Sequence, residues 1–437
     1  MALPQPDPEA LALSRELARR IARIVDRAGG WIGFDVWMQQ ALYAPGLGYY
    51  SGPLRKFGAA GDFVTAPEMS PLFAACVARQ VSQWFAHAQP VVVEFGAGSG
   101  LLAAGLLEAL RALGTPARRY RIVEVSGVLR ARQRETLARL APWALDAVEW
   151  LDALPASIDG VVIGNELLDA MPVRVFEHED GRLFEVGVSV DGGAGEAVGQ
   201  GAGRRVHGGG DGASDEASDE VPAFCWALRP AGADLGQAVA QALRGAGAGD
   251  VCPPSGDAAG LLARLGPGRY RSEVAPQAQA WIATVGRALE RGAMLLVDYG
   301  FPAGEYYHPQ RDAGTLIAHY RHQAHGDVLR WPGLQDLTAH VDFSAVARAA
   351  RDAGLAPLGY ASQARFLLNC GLLELLADEA RAMPRGPETP GQARRLGAVQ
   401  ALLSEAEMGE LFKAIAFGRG MPDDALGFAN GDRSGAL

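Results

Sequence analysis

Cysteine is scarce and scattered in this chain. Cys76, Cys225, Cys252 and Cys370 are the only four in 437 residues, and no two make a C-x-x-C pair. That spacing excludes a thiolate zinc knuckle and argues against a disulfide scaffold, so a reducing compartment is expected. Long apolar runs are missing too. None approaches the ~20 residues that a membrane span needs, and the N-terminus shows no secretory hydrophobic segment. Positive charge is in deficit: 40 Lys and Arg against 50 Asp and Glu give a formal net charge of −10. This balance argues against a general basic surface for nucleic acid, although it leaves a local basic groove open, and no nucleic-acid partner is expected. An acidic surface is compatible with a homodimer. No internal repeat of fixed period occurs, and the 56 glycines follow no G-X-Y rule, which excludes collagen.

What the chain does have is core. Apolar residues make up 49%, enough to bury a large interior, and the length suits one big domain with insertions or two smaller ones. Residues 9–27 place Leu13, Leu17, Ile21 and Ile24 on one helical stripe with arginines opposite. Asp7, Glu9, Glu16 and Asp26 interrupt the positive charge, unlike a mitochondrial transit peptide. A helix of the mature protein is the expectation, with a bacterial-type cytoplasmic location preferred to the mitochondrial matrix.

The pattern divides the chain into five stretches. Residues 1–90 read as helices and loops. Residues 91–180 alternate strands and helices: strands at 91–95, 120–125, 147–150, 160–164 and 172–177, with helices at 101–113 and 128–140. Residues 181–270 read as an insertion whose segment 191–220 holds ten glycines and almost nothing apolar, hence a disordered surface loop. Residues 271–365 resume the alternation, with a helix at 273–291, a buried strand at 293–299, a His-rich polar stretch within 302–342 (loop over 302–330), a helix at 343–354 and a strand near 356–360. Residues 366–437 complete a run of amphipathic helices spanning 362–417. Alternating strands and helices predict an α/β fold with a mostly parallel sheet covered by helices on both faces. Ligands of such sheets bind beyond the carboxyl ends of the strands.

Three motifs lie at those ends. Glu94-Phe95-Gly96-Ala97-Gly98-Ser99-Gly100 follows the first strand. Dinucleotide proteins use G-x-G-x-x-G, so that a pyrophosphate can rest on the helix N-terminus. Here the third glycine comes one residue early, and the acid two residues before the first suits a ligand carrying an ammonium group. The E-x-G-x-G-x-G form resembles the first motif of class I methyltransferases that use S-adenosylmethionine; a purely structural glycine turn is the bland alternative. Glu124, followed by Val125, ends the second strand and can accept both hydroxyls of a ribose. Asp152 falls where the third strand ends; in such methyltransferases an acid there often accepts the adenine amino group, and a helix cap is the alternative. Asn165-Glu166-Leu167-Leu168-Asp169 follows the apolar run Val161-Val162-Ile163. Two acids three residues apart at that place can hold a guanidinium bidentately and manage its proton, which makes Glu166 and Asp169, with Asn165, the catalytic candidates. A solvated acid pair is the competing reading. His308, His319, His322, His325 and His340 invite a metal, but their spacing is not that of a zinc site and methyl transfer from a sulfonium needs none, so no metal is expected. Asp336, His340 and Asp342 read instead as a polar network, and Tyr306, Tyr307 and Tyr320 as pocket wall or core.

Taken together, these blocks resemble the MidA-like family, whose mitochondrial members are arginine methyltransferase assembly factors of respiratory complex I. The resemblance rests on Gly58 to Glu68, Glu94 to Gly100, Val123 to Ser126, Asn165 to Pro172, Leu296 to Gly300, Gly314 to Leu316, Pro332 to Phe343 and Met408 to Lys413, in that order. It implies a class I methyltransferase Rossmann-like fold with helical N- and C-terminal additions, S-adenosylmethionine as cofactor, and an arginine of a protein partner, such as a complex I core subunit, as acceptor. It further implies that the Gly61-Asp62-Phe63 block closes over the cofactor. Asp62 and Thr65 would then join Glu94, Gly96, Ala97, Gly98, Gly100, Glu124, Val125, Asp152 and Asn165 in cofactor binding. Glu68, Asp298, Tyr299, His340 and Asp342 would form the acceptor pocket. A SAM-binding assembly chaperone without catalysis and a small-molecule methyltransferase are the other functions open at this point.

Overall fold

A computed structural model describes residues 3–53, 65–191, 205–206, 221–246, 258–266, 268–382 and 390–437. The predicted segment 191–220 lies almost wholly outside the described residues, as does Asp62.

The main sheet runs in the order Ala356–Ser362, Phe412–Arg419, Leu289–Phe301, Ile158–Asn165, Val91–Phe95, Arg119–Val123, Val148–Leu151. The last five strands are mutually parallel, and the first two are antiparallel additions at one edge. Val92, Val93, Val161, Val162, Ile163 and Met294 to Val297 are all nearly inaccessible. Both faces are covered, as expected for parallel strands. On one face pack the helices Pro71–Trp84, Leu101–Ala112 and Gln363–Asn369. On the other pack Pro276–Ala288 and Phe343–Asp352. The chain runs outward from Val91–Phe95 to Val148–Leu151, then returns through Ile158–Asn165 on the opposite side. The crevice between Phe95 and Asn165 is therefore the topological switch point, where ligands bind in open sheets of this kind.

Several expectations are corrected here. The strand expected at 172–177 does not extend the parallel sheet. Arg174–Glu179 pairs antiparallel with Arg182–Val190 in a second sheet that also holds Tyr270–Val274, Phe224–Pro230 and Arg205–Val206. The turn is Asp180-Gly181, both with positive φ (+50° and +76°), the geometry of a tight two-residue hairpin. The helix expected over 273–291 begins only at Pro276, in the first-turn position that proline favours; the preceding residues are strand. The stretch 302–330 is not simply loop: Ile317–Tyr320 and Gln323–His325 form a hairpin that joins Asp336–Thr338 in a three-stranded sheet. The helices expected as far as 417 stop at Leu411, and Phe412–Arg419 is a strand inserted between two others. Its residues are buried on both faces, and such a run has no period that separates strand from helix.

The helices Pro8–Arg27 and Phe34–Tyr43 do not cover the main sheet. Leu17, Ile21, Phe34, Trp37 and Met38 share a core with Val175, Val186 and Val188 of the second sheet and with Ala318 and Leu337 of the three-stranded one. This packing carries Tyr43 and Tyr50 to the mouth of the crevice. Among the described residues, no helix is long and apolar enough to cross a membrane.

Candidate active site

The glycine turn is built by steric necessity. Gly96, Gly98 and Gly100 all have positive φ (+66°, +49° and +80°), a conformation that costs other residues about 1–2 kcal/mol. A Cβ on Gly96 would lie 3.0 Å from Leu167 Cδ1, and one on Gly100 would lie 3.1 Å from Gln133 Cα. Gly96, Ala97, Gly98 and Ser99 line a cavity of about 530 Å³, whereas Gly100 packs on Gln133 outside it. Glu94, 2% exposed, also faces the cavity. It accepts a 2.8 Å bond from the Tyr120 hydroxyl, and burial pushes its pKa up to about 7.

Glu124 and Val125 line the same cavity. The Glu124 carboxylate is held from two sides, by Ser126 N–H at 2.9 Å and by Gln133 Nε2 at 3.2 Å. Burial raises its pKa. Gln133 was not foreseen. It also donates to Gly98 O at 3.2 Å and accepts from Trp150 Nε1 at 3.0 Å, so one fully buried amide ties the glycine turn to the strand-end acid. Asp152 is a correction. Its side chain is 90% exposed and pairs with Arg130 at 2.7 Å, off the cavity. Arg130 also donates to Leu151 O at 2.7 Å, at the same strand end.

Asn165, Glu166 and Asp169 come together at the end of the next strand, and all three line the cavity. Glu166 has φ +50°, a strained value for a residue with a side chain. Burial, followed by the charge of Asp169, pushes the Glu166 pKa up to about 8. Burial also raises Asp169, against the Tyr299 hydroxyl, which favours the ionised form. The far wall comes from elements that the sequence reading used only in part. Tyr299 and His340 line it as expected, and His340 is lowered to about 4 by burial. Beside them stand Tyr43, Tyr50, His319, Asp336 and Thr338. Tyr43 and Tyr50 are stacked 5.5 Å apart, and Tyr50 donates to Asp336 at 2.8 Å. Only tertiary packing brings these tyrosines in; nothing local in their sequence announces it. Thr65 and Glu68 complete the rim, while Met408, Leu411 and Phe412 give it an apolar side.

Two further expected pocket residues lie elsewhere. Asp342 caps the helix Phe343–Asp352 through Ala345 N–H at 3.0 Å and does not reach the main cavity. Asp298 sits behind the wall, 1% exposed, bonded to backbone amides. Tyr306 and Tyr307 are core residues packed around Glu273, and Tyr320 packs against Trp331 with its ring tilted. Among the described residues, no group of three or more His, Cys, Asp or Glu is arranged to hold a metal.

The chemistry of the lining is one-sided. Six acids face the cavity (Glu68, Glu94, Glu124, Glu166, Asp169 and Asp336), and no Lys or Arg does so among the described residues. Among the described residues, five buried polar atoms of the lining have no hydrogen-bond partner: Glu68 Oε2, Asn165 Oδ1, Asp169 Oδ1, Thr338 Oγ1 and His340 Nδ1. Buried groups of this kind are rarely left unsatisfied except where a ligand or water meets them. The volume is that of a ligand site, and the charge suits cations. S-adenosylmethionine, which carries a sulfonium and an ammonium beside a ribose, fits this donor set.

Comparison with known proteins agrees. Residues 76–361 match the profile of a family described as S-adenosyl-L-methionine-dependent methyltransferase. A mouse relative, protein arginine methyltransferase NDUFAF7, mitochondrial, is 30% identical over 419 residues, covering 89% of this chain and 81% of its own. The human protein of the same name is 27% identical over 421 residues, covering 89% and 80%. A Burkholderia thailandensis protein crystallised with S-adenosyl-homocysteine is 46% identical and superposes with a TM-score of 0.81 over 100% of both chains. A glycine turn with an acid before it, an acidic crevice at the switch point and these likenesses along the whole length lead to one statement: the chain belongs to the MidA-like family of S-adenosylmethionine-dependent methyltransferases.

Proposed function

We propose that this methyltransferase modifies an arginine of a protein partner. The observation that carries the reading is the pair Glu166 and Asp169, two acids on one turn, facing the cavity with no cationic side chain among its described lining residues. Two ionised carboxylates at such a place are costly until a cation arrives. A guanidinium supplies that cation and matches two carboxylates through its fork of N–H donors. The mouse and human relatives carry the name protein arginine methyltransferase, which supports the same acceptor. A core subunit of NADH:quinone oxidoreductase is the partner we infer from the MidA-like resemblance.

The chemistry supplied by S-adenosylmethionine, when bound, is a sulfonium methyl open to in-line displacement. Glu94 and the Gly96–Gly98 backbone would hold its amino-acid part, and Glu124, fixed by Ser126 and Gln133, the ribose hydroxyls. Asn165 donates to Glu166 Oε1 at 3.1 Å and orients that carboxyl. Glu166 and Asp169 hold the guanidinium charge away from the attacking nitrogen. The proton released on methylation passes to Asp169 at Oδ1, the oxygen with no partner. Tyr43, Tyr50 and Phe412 shield the site from water. Proton management by the acid pair leaves no step that calls for a metal.

The test is incorporation of a labelled methyl group into arginine of a candidate partner, located by mass spectrometry, for the native protein and for Glu166→Gln with Asp169→Asn. Arginine labelling that falls at least ~100-fold in the double variant, with cofactor binding retained, is expected. Labelling of another residue type would remove the arginine reading, and full arginine turnover by the double variant would remove the role given to Glu166 and Asp169.

A further inference from the structure

We propose that Asp298 is a positioning residue: its carboxylate fixes the backbone turn that aims Glu166 and Asp169 into the cavity. The catalytic half of this inference rests on the acceptor reading above; the structural half stands without it.

Four consecutive amides leave the end of strand Ile158–Asn165, and the neighbouring strand grips all four. Glu166 N–H donates to Val297 O at 2.8 Å. The next three donate to a single oxygen, Asp298 Oδ2: Leu167 at 3.1 Å, Leu168 at 2.8 Å and Asp169 at 3.4 Å. The other oxygen, Oδ1, accepts Tyr299 N–H at 3.0 Å. Three convergent amides form a small anion-binding concavity, and with Tyr299 N–H they offset part of the burial and of the Asp169 and Glu166 charges that raise the Asp298 pKa. The turn needs such a hold because it begins with Glu166 at φ +50°, a conformation that persists only when its surroundings impose it.

The carboxylate also has no alternative task. It is 1% exposed and does not line the cavity. Strand Leu289–Phe301 runs parallel to Ile158–Asn165, with Val297 paired to Asn165. Asp298 is thus the first residue beyond that pairing, one step too far along for a backbone ladder to satisfy the turn. The side chain carries the ladder on where the backbone cannot. Its place next to the acid pair makes the arrangement consequential, since an error of ~1 Å at reacting groups can cost about 100-fold in rate.

The experiment compares the full chain with Asp298→Ala and Asp298→Asn. It measures amide hydrogen exchange at residues 167–169, affinity for S-adenosylmethionine, and kcat and KM on an arginine-containing acceptor. For Asp298→Ala the expected result is exchange at least ~10-fold faster at these amides and a kcat lower by about 100-fold, with cofactor affinity and KM nearly unchanged. Asp298→Asn can still offer an oxygen to the three amides by giving up Tyr299 N–H, so it should recover part of both effects. If alanine loosens strand Leu289–Phe301 as a whole, the asparagine variant decides. Unchanged protection at 167–169 overturns the clamp. Faster exchange with undiminished kcat overturns its catalytic consequence. A native enzyme that methylates no arginine removes the acceptor reading alone, because exchange still tests the clamp.

Discussion

Replacing Glu166 by glutamine should stabilise the cofactor-free protein, and by an amount that depends on pH. The pKa of Glu166 is raised from 4.5 to about 8, first by burial and then by the charge of Asp169. A carboxyl with a raised folded pKa contributes stability that is complete below its unfolded pKa and is lost as pH climbs through the folded one. Between about pH 5 and 8 the folded state retains a proton that the unfolded chain has released, so stability falls by about 1.4 kcal/mol per pH unit. The whole shift, about 3.5 units, gives an upper limit of about 5 kcal/mol. Part of the Glu166 surface is open to the cavity, and water there softens the desolvation cost, so about 2 kcal/mol is the working figure. Glutamine keeps the oxygen that Asn165 donates to and cannot ionise. Urea midpoints of both proteins at four pH values would read the difference. It should be near zero at about pH 5, grow to roughly 2 kcal/mol in favour of glutamine by pH 8, and then level off. A difference that stays constant from pH 5 to 9 would refute the claim that Glu166 is an ion held at a cost.

Two other changes probe the cofactor side. Glu94 titrates near pH 7, and only its ionised form attracts an ammonium. Affinity for S-adenosylmethionine, measured by calorimetry, should therefore rise as pH goes from 6 to 8 and become flat in Glu94→Gln; an equally steep rise in the variant would exclude Glu94 as the contact. Asp152→Ala should leave cofactor affinity within about 0.5 kcal/mol of the native value, since its side chain is 90% exposed and paired only with Arg130. A loss of tenfold or more would show that the surface position misleads.

How much of this could be read from the sequence depends on how far apart the interacting residues lie. Strands Val91–Phe95 and Ile158–Asn165 and helix Leu101–Ala112 announce themselves, because each apolar run is followed at once by the glycine or acid that needs a strand end. The hairpin at Asp180-Gly181 carries a legible turn signal, Asp-Gly, although the apolar run before it reads as one more parallel strand. The hairpin over 317–325 gave none, since its turn residues, Arg321 and His322, adopt positive φ (+48° and +60°) without the usual Asn or Gly. Phe412–Arg419 was unreadable for a different reason. It joins the main sheet more than a hundred residues after its neighbour Leu289–Phe301, and nothing within eight residues encodes that pairing.

The site follows the same rule. Glu94, Glu124, Glu166 and Asp169 were legible because each stands at the end of a strand that could be located. Asp298, which the family resemblance places in the pocket, lies just beyond the stretch of its strand that pairs with Ile158–Asn165; whether such an acid faces the crevice or the neighbouring turn depends on one step of register between two strands. Glu166, paired to nothing beyond Asn165, points into the cavity. Asp298, one residue past the last pairing of its strand with Ile158–Asn165, meets the amides of 167–169 instead. The two acids thus exchange solvent for opposite partners: one for a row of N–H dipoles that offsets part of its burial at all times, the other for a cavity that satisfies it only when a cation is bound. An acid with permanent partners can hold a turn in place, and an acid left wanting can bind and release. The acidic crevice needs both kinds, and their separation by a single register step lets the same residue type do the two jobs side by side.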